Sequence, residues 1–116
     1  MYTRHVILKL KADSASEFAR ITENEIVPRL HEQKGFRQQD TFISAGLSEA
    51  IVNSYWDTKE YAEAYNRTEY PEVLKALSKV VAGTPQVETF EISTATFHKI
   101  ALKQREADGA SNFKRG

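Results

Sequence analysis

The sequence contains no cysteine at all, and only one methionine and one tryptophan among its 116 residues. Without thiols, disulfides, thiolate nucleophiles and Cys-ligated zinc sites are excluded together, which fits a reducing cytoplasm as the expected location. No stretch approaches the ~20 apolar residues of a membrane span, and Met1-Tyr2-Thr3-Arg4-His5 offers no apolar run for a signal peptide. Membrane attachment is not expected. An excess of charge is missing too: sixteen basic residues balance sixteen acidic ones. Nucleic-acid binders draw most of their affinity from neutralising phosphates. The one basic cluster here is Lys103, Arg105, Lys114 and Arg115, at the end of the chain, so nucleic acid is not an expected partner. Glycine-rich phosphate loops, nucleophile elbows, EF-hand spacing and HExxH are all absent.

What remains is an ordinary globular composition, 41% hydrophobic and 28% charged. The length suits one domain with one core, burying roughly two-thirds of the surface of the unfolded chain. Val6, Leu8 and Leu10 alternate with His5, Ile7, Lys9 and Lys11, a period of two that predicts a first strand. Ser14-Ala15-Ser16-Glu17 reads as a capping box opening a helix. Phe18, Ala19, Ile26 and Leu30 form its apolar stripe, with Ala15 and Thr22 between them. Pro28 lacks an amide proton and crowds the preceding turn, so a kink or a change of helix type is expected near Asn24–Val27, and Gly35 is the expected stop.

Phe36–Ser44 and Glu49–Trp56 read as a strand hairpin around Ala45-Gly46-Leu47-Ser48. Simple alternation puts Phe36 and Phe42 on one face. Asp57 and Thr58 are competent caps for a helix over Lys59–Arg67. Tyr70-Pro71 breaks that helix and starts another. The second carries Val73, Leu74, Leu77, Val80 and Val81 on its apolar side and is expected to end at Gly83, before Pro85. Val87–His98 is the last strand. The order β-α-β-β-α-β is the α+β, ferredoxin-like arrangement, a four-stranded antiparallel sheet with helices on one face. Residues 1–102 are the expected domain and 103–116 a polar C-terminal tail. No repeat, linker or second domain is visible.

Helices cover only one face of such a sheet, yet both faces carry apolar residues. Ile7 lies opposite Val6 and Leu8, Ile51 and Tyr55 opposite Val52 and Trp56, and Phe90 and Ile92 opposite Val87. An uncovered face of that kind predicts association, and a two-fold homodimer packed sheet against sheet is the simplest closed form.

Arg4-His5-Val6 opens the first strand, and Glu25-Ile26-Val27-Pro28-Arg29-Leu30 precedes Gly35-Phe36. Tyr55-Trp56-Asp57-Thr58-Lys59-Glu60 marks a strand-to-helix junction, followed by Tyr70-Pro71-Glu72-Val73-Leu74. On these segments, residues 1–100 resemble the antibiotic-biosynthesis-monooxygenase-like family of the dimeric α/β-barrel superfamily. The resemblance implies a pocket between sheet and helices, used in better-known members to oxygenate phenolic or quinone-like substrates without metal or flavin. A haem-degrading branch resembles the chain less: Trp56 matches its Trp, but the first strand lacks its Asn, and Asn66 stands where its His is called for. Haem is therefore not an expected ligand. No metal and no cofactor are expected.

Several residues are candidates for chemistry, each with a plainer alternative. Trp56, at a strand-to-helix junction, is placed to stack on a flat ligand or to fill the core. Tyr61 and Tyr65 share a helix face and either orient a planar substrate or form a packing stripe. His5 and Tyr65 are the candidate acid/base groups; a strand-end surface histidine is the commoner state of such a His. Asn53 falls on the face opposite Trp56 by alternation. Phe18 and Thr22 are candidates for the pocket wall. Arg29, near the same stripe, either supplies a cation to an acidic substrate or lays its stem over the core with its head in water. His31 sits near a helix end, where it suits the helix dipole, and His98 is peripheral. The expected function is a cofactor-independent monooxygenase acting on a small aromatic or quinone-type compound. The alternative is a non-catalytic small-molecule-binding or stress-associated homodimer.

Overall fold

The alternation in the first ten residues places every second side chain under a layer of helices, and the rest of the fold follows from that strand. The computed structural model describes residues 1–92. Strand β1 (Tyr2–Leu10) is followed by α1 (Ala15–Ile21), a π-helical turn (Thr22–Ile26) and α2 (Val27–His31). The hairpin β2 (Phe36–Ile43) and β3 (Glu49–Trp56) comes next, then α3 (Lys59–Thr68), α4 (Tyr70–Leu77) and β4 (Val81–Glu91). The strands form one antiparallel sheet in the order β2-β3-β1-β4. This is the α+β, ferredoxin-like fold with helices on one face. Among the described residues no helix is long and apolar enough to cross a membrane.

The core lies between the sheet and the helices. Tyr2, Val6, Leu8 and Leu10 from β1 and Ala50 and Trp56 from β3 meet Phe18, Ile21, Ile26, Leu30, Ala62, Tyr65, Val73 and Leu77 from the helices. Cross-strand register sorts these side chains into rows. On the covered face, Phe36, Trp56, Tyr2 and Glu91 form one row, Gln39, Ser54, Arg4 and Thr89 the next, and Thr41, Val52, Val6 and Val87 the third.

Four local expectations are corrected. Ser14 makes no side-chain cap hydrogen bond; its hydroxyl donates to the Ala12 carbonyl while Glu17 holds Arg20. A charged partner one turn away outcompetes the reciprocal cap. Ala19 is exposed, and Phe18, Ile21 and Thr22 face the core instead. The expected irregularity before Pro28 is the π turn Thr22–Ile26, whose wider winding brings Ile26 and Leu30 back over the sheet.

Phe36 and Phe42 lie on opposite faces. The β2–β3 register slips between Phe36 and Gln38, and one extra residue in a strand inverts the alternation beyond it. Finally, α4 ends at Leu77, Val81 belongs to β4, and Gly83 lies inside that strand with φ +69°. Pro85 fits there because β4 is an edge strand, and the ladder is already irregular between Ile7 and Lys9. The expected end of the last strand, His98, the basic cluster and the boundary at residue 102 all lie outside the described residues.

Candidate functional site

A crevice between the sheet and the helices is walled by Phe18, Thr22 and Ile26 on one side and by Tyr65, Tyr70, Val73, Leu74 and Leu77 on the other. Its floor is Arg4, Val6 and Leu8 of β1, Val52 and Ser54 of β3, and Gln39 of β2. The π turn shapes one wall, since Thr22 and Ile26 are its first and last residues. The opposite wall is set by the break between α3 and α4, where Pro71 lies in the first turn of the new helix and Tyr70 lines the crevice.

The crevice is narrow. Its cavity volume of about 30 Å3 suits a water-sized group, so an aromatic ring enters only if α4 and the π turn spread. A wider groove of about 430 Å3 at the other end of β1 is lined by Leu10–Ser16 and Gly46–Ser48. It is open and walled by loops, with none of the aromatic rings. The crevice is the better candidate because it is apolar with a few convergent polar groups.

Arg4 sits at the crevice floor and is only 3% exposed. One guanidinium nitrogen, Nη2, donates to Asn66 Oδ1 at 2.9 Å. The guanidinium carbon lies 4.3 Å from the centre of the Tyr70 ring and 5.3 Å from that of Tyr65, within cation–π range. Among the described residues it has no ion pair. Burial pushes the Tyr65 phenol up to about 12, against the pull of the Arg4 cation. Tyr70 is raised by burial in the same way, and its hydroxyl is buried without a hydrogen-bond partner among the described residues. Both phenols are therefore protonated at neutral pH and act as donors rather than bases.

Of the residues singled out from sequence, Phe18, Thr22 and Tyr65 come together in the crevice. The others lie elsewhere. Trp56 is fully buried behind Tyr65, with ring centres 5.0 Å apart, and its Nε1 donates to Ser54 Oγ at 3.0 Å. It also packs edge-on to Phe36, so it is a core residue that supports the crevice wall. Tyr61 packs on Gly35, which has φ +82°; a Cβ there would lie 2.2 Å from Tyr61 Cδ2. His5 and Asn53 sit on the open face, joined by a 2.7 Å hydrogen bond. The sheet itself separates them from the crevice. Arg29 is exposed and paired with Glu69 at 2.8 Å.

The sequence reading missed Arg4, Tyr70, Ser54 and Gln39. Alternation carried the signal for Arg4, which shares the parity of Val6 and Leu8. A charged residue in a core row is the unusual observation.

Among the described residues no cluster of His, Asp and Glu is placed to hold a metal. No protein-family model matches the sequence, and no curated protein matches it. Solved structures do. A protein from Nitrosomonas europaea, named as a candidate antibiotic biosynthesis monooxygenase, superposes with a TM-score of 0.69 at 17% identity, covering 79% of this chain and 89% of its own. The fold is that of the antibiotic biosynthesis monooxygenase-like proteins. A monooxygenase from Streptomyces coelicolor, solved in complex with nanaomycin D, shares it at TM-score 0.69 and 12% identity, over 78% of this chain and 86% of that one. A second Nitrosomonas europaea protein, of unknown function, shares it at TM-score 0.67 and 15% identity, over 99% and 95% of the two chains. Identities this low speak to the monooxygenase-like fold and not to chemistry.

Proposed function

We propose that the chain is a cofactor-independent monooxygenase-like protein that binds a small aromatic or quinone-type compound between its sheet and helices. The observation that carries this reading is the crevice itself, walled by Phe18, Tyr65 and Tyr70 with polar groups on its floor. The monooxygenase of the same fold that was solved with nanaomycin D supports it. An electron-rich hydroquinone that has lost a proton reacts with oxygen directly. The protein then has only to orient it and keep water out. Tyr65, held protonated, would orient the ring by donating a hydrogen bond.

The test is oxygen uptake with a panel of naphthohydroquinones. Uptake above the protein-free rate is expected, falling about tenfold in Tyr65→Phe, the worth of one oriented hydrogen bond. Uptake no faster than without protein for every member of the panel would reject turnover of this class.

A second reading, binding without turnover, is favoured by one observation: among the described residues no histidine or carboxylate lines the crevice to take up a proton near neutral pH. Ligand binding without oxygen uptake would select it.

We further propose that the chain is a homodimer through the open sheet face. Phe42 and Phe90 are 54% and 49% exposed there. Phe42, Ile51 and Ile7 form one cross-strand row, and Tyr55, Thr3 and Phe90 another. Sedimentation at micromolar concentration tests this; a stable lone subunit would reject it.

A further inference from the structure

Arginine keeps its charge when it is buried, because its guanidinium does not give up a proton within the pH range of proteins. A buried guanidinium without a counter-ion is therefore among the costliest arrangements a fold can hold. Among the described residues Arg4 is such a group. It is 3% exposed, it has five N–H donors, and its side-chain partners among the described residues are neutral: Asn66, to whose Oδ1 it donates, and the nearby Tyr70 hydroxyl. The acidic residues of the described chain are engaged elsewhere or lie on other surfaces: Glu69 pairs with Arg29, Glu17 with Arg20 and Asp57 with Arg37. The rings of Tyr65 and Tyr70 lie against the cation, and the guanidinium reaches toward the Tyr70 oxygen, where it opposes the upward push of burial on that phenol, but neither ring brings it a negative charge. Beside it stands a second unsatisfied donor, the buried Tyr70 hydroxyl. Both line the same crevice.

We propose that Arg4 is the anchor for an oxyanion on the ligand, a carboxylate or ionised phenol carried by an aromatic ring, with the Tyr70 hydroxyl donating a second hydrogen bond. This deepens the function proposed above and rests on the crevice being the ligand site. Once α4 and the π turn spread to admit it, the ring would lie among Phe18, Val73 and Leu77, and the oxygen would face the guanidinium. One feature of this pairing suits the proposed chemistry. A cation beside a phenol favours its ionised form, so Arg4 would select the ligand as the phenolate that has already given its proton to solvent water before it enters.

The test compares two probes of nearly equal shape, 2-naphthoate and its neutral amide, 2-naphthamide, with binding to the full chain measured by calorimetry. Trp56, the single tryptophan, packs on Tyr65 and gives a second readout by fluorescence. The wild type is expected to bind 2-naphthoate at least tenfold tighter than 2-naphthamide, the usual scale of a charge-assisted bond. Arg4→Gln is expected to abolish that preference while changing the affinity for 2-naphthamide less than threefold. Tyr70→Phe removes a hydroxyl with no partner among the described residues, so it should fold, and it should weaken 2-naphthoate binding a few-fold. If Arg4→Gln does not fold, the wild-type preference and the Tyr70→Phe variant still decide. Equal binding of the two probes, or a preference that survives in Arg4→Gln, would overturn the oxyanion site and leave the crevice reading intact. No binding of either probe at millimolar concentration would overturn both.

Discussion

The two faces of the sheet carry the same pattern and have met different fates. Each has a polar row running across the strands between apolar rows. On the open face it is Asp40, Asn53, His5 and Glu88; on the covered face it is Gln39, Ser54, Arg4 and Thr89. The open row satisfies itself within a single subunit, because His5 and Asn53 hydrogen-bond to each other, Asp40 accepts from Gln38 and Glu88 is exposed. The covered row holds a cation beneath helices that bring it no acid among the described residues. Polar groups in the same sheet thus settle into structure where water or a neighbour can pair them, and keep unused donors where neither can.

The sharpest test of this contrast is a matched pair of truncations. Trp56→Ala on the covered face should lower the unfolding free energy by about 3–5 kcal/mol, since it empties a fully buried site between Phe36 and Tyr65. Phe42→Ala on the open face should cost a single subunit less than about 1 kcal/mol. Urea titrations of both variants check this, and equal losses would erase the distinction between the faces.

Next in size is Gly35→Ala, at about 2–4 kcal/mol. The substitution combines a left-handed backbone with a methyl group pushed into Tyr61. A loss under about 1 kcal/mol in the same titration would mean that Tyr61 moves freely and does not brace α3 against β2.

Alkali probes the covered face through Tyr65. Tyr65 titrates near 10 when unfolded and at about 12 in the fold. The folded state therefore holds its proton longer, and that contribution is fully present below pH 10 and lost as pH rises toward 12. It amounts to roughly 2–3 kcal/mol. Between pH 10 and 12 the wild type should lose stability more steeply than Tyr65→Phe, by that difference. Parallel curves would place the phenol in water.

The open face is probed by Phe42→Asp. It should change the unfolding of a single subunit by less than about 1 kcal/mol and weaken self-association at least tenfold, because it buries a charge in an apolar row. Sedimentation velocity over a concentration series reads this. An unchanged profile would move the dimer interface elsewhere.

The fold was legible because its signals are local. The alternation of β1, the proline at 28 that marks the π turn, and the Tyr70-Pro71 break are each written in a few neighbouring residues, and local sterics dictate them. The likeness of the chain to the monooxygenase-like proteins rested on short segments of the same local kind, such as Glu25–Leu30 before Gly35-Phe36 and the Tyr55–Glu60 junction. The misreadings came where distant pairing overrides local pattern: a slip of one residue in β2 sent Phe36 and Phe42 to opposite faces, and an edge position let β4 run through Gly83 and Pro85.

The site was less legible for the same reason. Phe18, Thr22 and Tyr65 could be picked out as facing inward, because helix and strand periods fix direction. Whether an inward residue ends in the packed core, as Trp56 does, or at an open crevice, as Arg4 does, depends on which helix lies above it. The sequence by itself determined the elements, their order and the parity of each side chain in its strand. Tertiary structure alone decided which polar row was roofed over, and so which charge was left in need of a partner, because burial is a property of what packs on a residue and not of the residue itself.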